Sequence, residues 1–131
     1  VLHAGLILLA DIVREHRSGN IRRQARIDAC LELIELHLTD HDLSVGELSR
    51  QLDCHPDYLS ALFRRERQQS LVGHITARRL ELAQRLLRQS QLRINQIAWV
   101  SGYRDPAYFS RLFRKQTGMS PQDYRLGAAQ A

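Results

Sequence analysis

Apolar residues recur every three or four positions along most of this chain, and no stretch shows sustained alternation of apolar and polar residues. The pattern predicts an all-α protein without a sheet. Leu2, Leu6, Leu9 and Val13 keep helical spacing and mark an amphipathic segment ending near His16, after which Arg17-Ser-Gly-Asn20 reads as a break or linker. Such a segment packs on its own domain, on a preceding one, or on a second helix in a dimer. Ile27, Leu31, Ile34 and Leu38 then define a first core helix, ended by Thr39-Asp-His-Asp42. Ser44 with Glu47 forms a capping-box pattern, in which the hydroxyl accepts from an early backbone N–H while the carboxylate reaches back. The helix so opened runs to about Leu52. Asp53 tolerates turn conformations, and Pro56 presets φ for a helix from Pro56 to about Arg67 whose inner stripe is Leu59, Leu62 and Phe63.

Leu71, Ile75, Leu82 and Leu86, with Val72, Ala83 and Leu87 beside them, describe one long amphipathic helix reaching about Gln89. About 20 residues at ~1.5 Å each give a strut of roughly 30 Å. The next helix starts near Ile94 and breaks at Gly102, whose missing Cβ suits a left-handed cap. Asp105-Pro106 opens another as an N-cap followed by proline, ending near Thr117-Gly118, and Ser120-Pro121-Gln-Asp123 starts a short last helix carrying Tyr124 and Arg125. About seven helices plus an N-terminal helical extension result.

Two of these helix pairs are copies of each other. Tyr58, Ser60, Leu62, Phe63 and Arg64 recur as Tyr108, Ser110, Leu112, Phe113 and Arg114 at an offset of 50, whereas Val45, Leu48 and Ser49 pair with Ile94, Ile97 and Ala98 at an offset of 49. The second copy therefore has one more residue between its helices, a change that a turn absorbs without disturbing either helix. This organisation divides the chain into an N-terminal helical segment and linker (1–26), a first helix-turn-helix subdomain (27–70), a connecting helix (71–90) and a second helix-turn-helix subdomain (91–131).

Charge gives the repeats a direction. The formal net charge is +5, but residues 1–57 carry six basic and ten acidic groups, a balance of −4, while residues 58–131 carry 13 and four, a balance of +9. Eighteen of the 19 basic residues are arginine, whose planar fork pairs with phosphates and guanine edges. The longest apolar run, Leu6 to Ala10, is far too short to span a bilayer. Cys30 and Cys54 have no close ligand spacing; Cys30, inside an apolar helical stretch, reads as a small buried hydrophobe, and a reducing cytoplasm is the simpler location. The first residue is valine and the only methionine is Met119, so the sequence reads as a piece of a longer protein.

In a helix-turn-helix the second helix turns one face to the domain and the other to the DNA groove. With Leu59, Leu62 and Phe63 inward, the first copy leaves Asp57, Ser60, Ala61 and Arg64 on or near the outer side; with Phe109, Leu112 and Phe113 inward, the second leaves Ala107, Tyr108, Ser110, Arg111, Arg114 and Lys115. Arg111, mid-helix and outward, is the best candidate for bidentate reading of guanine. Arg64, Arg114 and Lys115, with Ser44, Arg65 and Ser110, are candidates for phosphate contact at the rim.

Over residues 43–125 the chain resembles the DNA-binding domain of the AraC/XylS family of bacterial transcription regulators. The second copy carries the motif as Ile97-Ala98, Gly102-Tyr103, Phe109, Phe113-Arg114, Gly118, Ser120-Pro121 and Tyr124-Arg125. The resemblance implies seven helices, two helix-turn-helix subdomains joined by the long helix, and both recognition helices in successive major-groove segments of double-stranded DNA. It also implies a companion sensor or dimerisation domain before Val1. By position, the family's base-reading sites fall on Asp57, Ser60 and Ala61 and on Ala107, Tyr108 and Arg111. In the first copy, Asp57 repels phosphate and Ala61 offers only a methyl, so contact to cytosine through Asp57, to a thymine methyl through Ala61, or mere positioning all stay open. Asp53 stands where glycine would sit more easily in the turn.

Other function classes fit less well. An enzyme needs converging nucleophile, base or metal ligands. His37 and His41, four apart with Asp40 and Asp42 nearby, lack a third ligand at recognisable spacing, and no glycine-rich phosphate loop is present, so neither catalysis, a metal nor a cofactor is expected. A helical protein-interaction module binding acidic partners through its arginines is the alternative to DNA binding. Contact with RNA polymerase is compatible with either.

Overall fold

In a computed structural model the structure describes the backbone of residues 2–130 and the side chains of residues 9–130. Seven helices and no strand occur among the described residues: α1 (Leu2–Leu36), α2 (Val45–Gln51), α3 (Pro56–Arg67), α4 (Leu71–Gln89), α5 (Ile94–Val100), α6 (Pro106–Thr117) and α7 (Pro121–Gln130).

The two expected N-terminal helices are one. Helix α1 runs 35 residues without interruption through Arg17-Ser-Gly-Asn20, so the break expected there is absent. Glycine inside a helix costs only about 1 kcal/mol relative to alanine, and no proline removes an N–H or blocks a turn. Flanking side chains add local support: Arg14 pairs with Asp11 at 3.6 Å, and Arg23 donates to the Asn20 side-chain oxygen. The side chains of Leu2 and Leu6 lie outside the described residues, while Leu9 (60% exposed) and Val13 (47%) face solvent.

Sequence-local caps set most other boundaries. Ser44 Oγ accepts from the Glu47 N–H at 3.1 Å, but only half of the expected capping box forms, because the Glu47 carboxylate turns to Arg50 (2.5 Å) and Gln51 (3.0 Å). A charged donor one turn ahead holds it better than a neutral backbone N–H. His55 Nδ1 caps α3 through the Asp57 N–H at 3.1 Å, Ser70 Oγ caps α4 at Gly73, Asp105 caps α6 at Ala107, and Ser120 caps α7 at Asp123. Helices α3 and α6 end on left-handed residues, Gln68 (φ 57°) and Gly118 (φ 83°).

Helix α4 serves two cores. Leu71 and Ile75 join Ile27, Cys30, Ile34, Leu38, Leu48, Leu59, Leu62 and Phe63 around α1–α3; Leu80, Ala83 and Leu87 join Ile97, Ala98, Tyr103, Phe109 and Phe113 around α5–α6. The buried row is thus residues 71, 75, 79, 83 and 87, spaced by four, and its centre is an arginine, Arg79. The expected stripe was turned: Val72 is exposed, and Leu82 and Leu86 are half-buried. Helix α7 is pinned to the end of α4 by Arg125, which donates from Nε to the Leu87 carbonyl (3.2 Å) and from Nη2 to that of Ser90 (3.4 Å), supplying partners for carbonyls that a helix end leaves open. Burial raises the Cys30 thiol to about 11, in keeping with a core residue. Among the described residues no helix is long and apolar enough to cross a membrane.

Candidate nucleic-acid interface

The repeat seen in the sequence is a repeat of structure. In each pair the first helix has seven residues and the second twelve. In the first turn the Cys54 N–H donates to the Ser49 carbonyl at 3.0 Å, and in the second the Tyr103 N–H donates to that of Ala98 at 2.9 Å. The residue just before each donor carries a positive φ, Asp53 (53°) and Gly102 (101°). Each turn then closes on an N-cap, His55 and Asp105, so the additional residue of the second turn is Arg104.

The recognition faces are open. On α3, Leu59, Leu62 and Phe63 are buried while Asp57, Ala61, Arg64 and Arg65 are exposed and Ser60 is half-buried. On α6, Phe109 and Phe113 are buried and Leu112 is half-buried against the same core; Ala107, Tyr108 (49% exposed), Arg111, Arg114 and Lys115 face solvent, and Ser110 matches Ser60 in depth. Among the described residues, no carboxylate forms an ion pair with Arg64, Arg111, Arg114 or Lys115; Arg65 lies 3.5 Å from Glu66, and Asp57 lies 3.8 Å from the His55 ring. Arg64, Arg65, Arg114 and Lys115 occupy the last turns of α3 and α6, where the helix dipole favours cations even before a ligand arrives. Ser44 uses an oxygen lone pair for its cap, leaving the hydroxyl proton able to donate to a phosphate oxygen.

Candidates from the two copies meet in one place. Ser44 and Tyr108 both line a cleft of about 340 Å³ between the subdomains, together with Val72, Thr76, Arg79 and Arg104. Other basic residues stand near the first copy, on the part of α1 that follows the expected break at Arg17-Ser-Gly-Asn20: Arg26 of α1 stands 5.5 Å over the Tyr58 ring, and Arg23 shares a groove with Tyr58, Ala61 and Arg65. Arg23 lies four residues before the core residue Ile27 and Arg26 four before the core residue Cys30, and that helical spacing is the available signal.

The cleft floor is a set of contacts between the subdomains. Arg79, only 8% exposed, donates from Nε to the Leu38 carbonyl (2.9 Å) and from Nη2 to the Asp40 carbonyl (2.7 Å), both in the loop between α1 and α2. Its guanidinium carbon also lies 5.3 Å from the centroid of the Tyr103 ring in the second subdomain. From the same loop, Asp42 accepts from Arg104 Nη2 at 2.7 Å. His41, considered above beside His37 as a metal ligand, instead lies with its ring 4.0 Å from that of Trp99 and donates from Nε2 to the Trp99 carbonyl at 2.9 Å.

A profile described as a helix-turn-helix domain matches residues 48–127. The chain is 33% identical over 100 residues to the arabinose operon regulatory protein of Salmonella typhimurium, an alignment covering 76% of this chain and 35% of that protein; the chain thus spans about a third of this relative. Its fold is similar to the C-terminal domain of AraT, a response regulator from Geobacillus stearothermophilus, with a TM-score of 0.76 and 32% identity over 78% of this chain and 84% of that one. It is also similar to the DNA-binding domain of AdpA, a global transcriptional factor solved with a target DNA, with a TM-score of 0.72 and 25% identity over 77% and 90% of the two chains. A match spanning both helix pairs, on a fold shared with these regulators, places this chain in the AraC-type helix-turn-helix family of DNA-binding domains.

Proposed function

We propose that the chain binds double-stranded DNA sequence-specifically as part of a bacterial transcription regulator acting in the cytoplasm, with α3 and α6 entering successive major-groove segments. The observation that carries this reading is the pair of open helix faces, each backed by its own core, with Arg64, Arg111, Arg114 and Lys115 unengaged by carboxylates among the described residues. In this reading Asp57, Ser60, Ala61, Ala107, Tyr108 and Arg111 face base edges. Ser44, Arg64, Arg65, Ser110, Arg114 and Lys115 hold the phosphates on either side. Residues 27–70 and 91–131 are the reading units, 71–90 the connecting helix, and 1–26 the path to a companion sensor or dimerisation domain. Contact with RNA polymerase belongs to the same proposal.

Two substitutions separate the roles. Arg111→Ala is expected to cost about 1–3 kcal/mol on the preferred sequence and to relax preference at one base pair, because a bidentate contact to one guanine is lost. Arg64→Ala is expected to weaken all sequences alike and to flatten the salt dependence of binding by about one unit of slope, as a lost phosphate contact does. Titration of both variants against duplex DNA at several salt concentrations reads the difference. If neither change alters affinity, the groove assignment is wrong.

A further inference from the structure

The two subdomains are joined twice. Helix α4 is one connection, contributing Leu71 and Ile75 to the first core and Leu80, Ala83 and Leu87 to the second. The other lies to the side of α4, where the loop between α1 and α2 meets the second helix-turn-helix: Asp42 with Arg104, His41 with Trp99, and the Leu38 and Asp40 carbonyls with the Arg79 that Tyr103 covers. Gly102 completes the joint, because a Cβ built there would lie 2.7 Å from Arg79 Nε. A single helix packed into a core at each end can still bend and twist between them, whereas a second link away from its axis closes a ring and resists both. Arg104 is the residue by which the second repeat exceeds the first, and its guanidinium reaches the other subdomain. The departure from exact repetition is spent on the joint.

We infer that this side joint makes Asp42, His41, Arg79 and Arg104 positioning residues for the spacing of the DNA site: they hold α3 and α6 at one separation, so the protein accepts one distance between its two boxes and rejects its neighbours. The inference rests on the DNA reading proposed above. One inserted base pair moves the second box about 3.4 Å along the duplex and turns it by about 35°. For α6 to follow, the second subdomain must shift and rotate against the first. That motion drags Trp99 and Arg104 away from His41 and Asp42.

The test compares affinities for duplexes carrying the preferred site and the same site with one base pair added between its boxes. The native protein is expected to bind the lengthened duplex about thirtyfold more weakly or worse, a penalty of the size of one or two mismatches. His41→Ala combined with Asp42→Ala removes two contacts outside both cores; it is expected to bind the preferred site within about threefold of native and to reduce the insertion penalty to about threefold. Restoring the carboxylate with Asp42→Glu beside native His41 should bring back most of the penalty. Arg79→Met is the stronger variant, and its unfolding transition, measured in parallel, separates loss of fold from loss of spacing control. An unchanged insertion penalty in both the stable double variant and a folded Arg79→Met overturns the inference and assigns spacing to α4 alone. Native protein that binds both duplexes equally overturns it as well, while native protein that binds no duplex specifically overturns the DNA reading itself.

Discussion

Gly102 and Gly118 are both in left-handed conformations, yet they answer different constraints. At Gly118 (φ 83°) a Cβ would meet nothing within 4 Å, whereas at Gly102 (φ 101°) it would strike the Arg79 guanidinium at 2.7–3.1 Å. Arg79 cannot withdraw without abandoning the Leu38 and Asp40 carbonyls. Gly118→Ala should therefore cost only the backbone strain, about 1–2 kcal/mol, and Gly102→Ala should cost clearly more, because a buried charged group also loses partners. Chemical denaturation of the two variants measures the difference, and equal losses would remove Arg79 from the account. At this scale the sequence is legible where residue type answers a local demand: Gly102 as a cap, Asp105 and Ser120 before proline, Asp57 and Arg111 on the outer side of an apolar stripe. Arg79 was not legible, because its partners lie about 40 positions away and a charged residue in an apolar row looks like the row's edge.

Among the elements, α1 and α4 depart most from what the periodicity predicts. Ser18, Gly19 and Asn20 are weak helix formers, but three such residues without a proline do not end a helix that is already propagating. In α4 the buried row advances by four residues at each step, which drifts around the helix and so serves two cores that lie at different angles. A stripe drawn through the most apolar residues misses that drift. The contact of α4 with the first subdomain is also where pH acts. His74 packs its ring 5.5 Å from Phe63, and burial, with Arg67 nearby, lowers its pKa below the usual 6.5. The folded protein thus keeps His74 neutral while the unfolded chain takes up a proton, so stability is complete above about pH 6.5 and is lost as pH falls from there towards the folded value. Glu35, held low chiefly by its hydrogen bond from Arg78, contributes stability above the ordinary carboxylate range and loses it only at lower pH, as the solution passes through its depressed pKa. Thermal unfolding followed from pH 7.5 to 5 should show the His74 loss first. His74→Phe, which keeps a ring against Phe63, should flatten that part of the profile; a variant with native pH dependence would assign the loss elsewhere.

For the whole molecule, the duplication was visible in the chain because five residues of the second helix recur at one offset, and the one-residue change in offset located the difference in the turn. What that additional residue does was not visible: Arg104 pairs with Asp42, 62 positions earlier, and only folding brings the loop after α1 beside the turn before α6. The two helix-turn-helix units consequently differ in surroundings as well as in sequence. The first presents Ala61 beside Arg23 of α1, and the second presents Tyr108 at the cleft. A reader built this way has direction. The most direct measurement is selection of bound sequences from a random duplex pool, at a stated salt concentration and with the protein monomeric. The expected result is a tandem, non-palindromic site whose two different boxes lie about one helical turn apart, at a single spacing. A strict palindrome, or enrichment of one box alone, would contradict it.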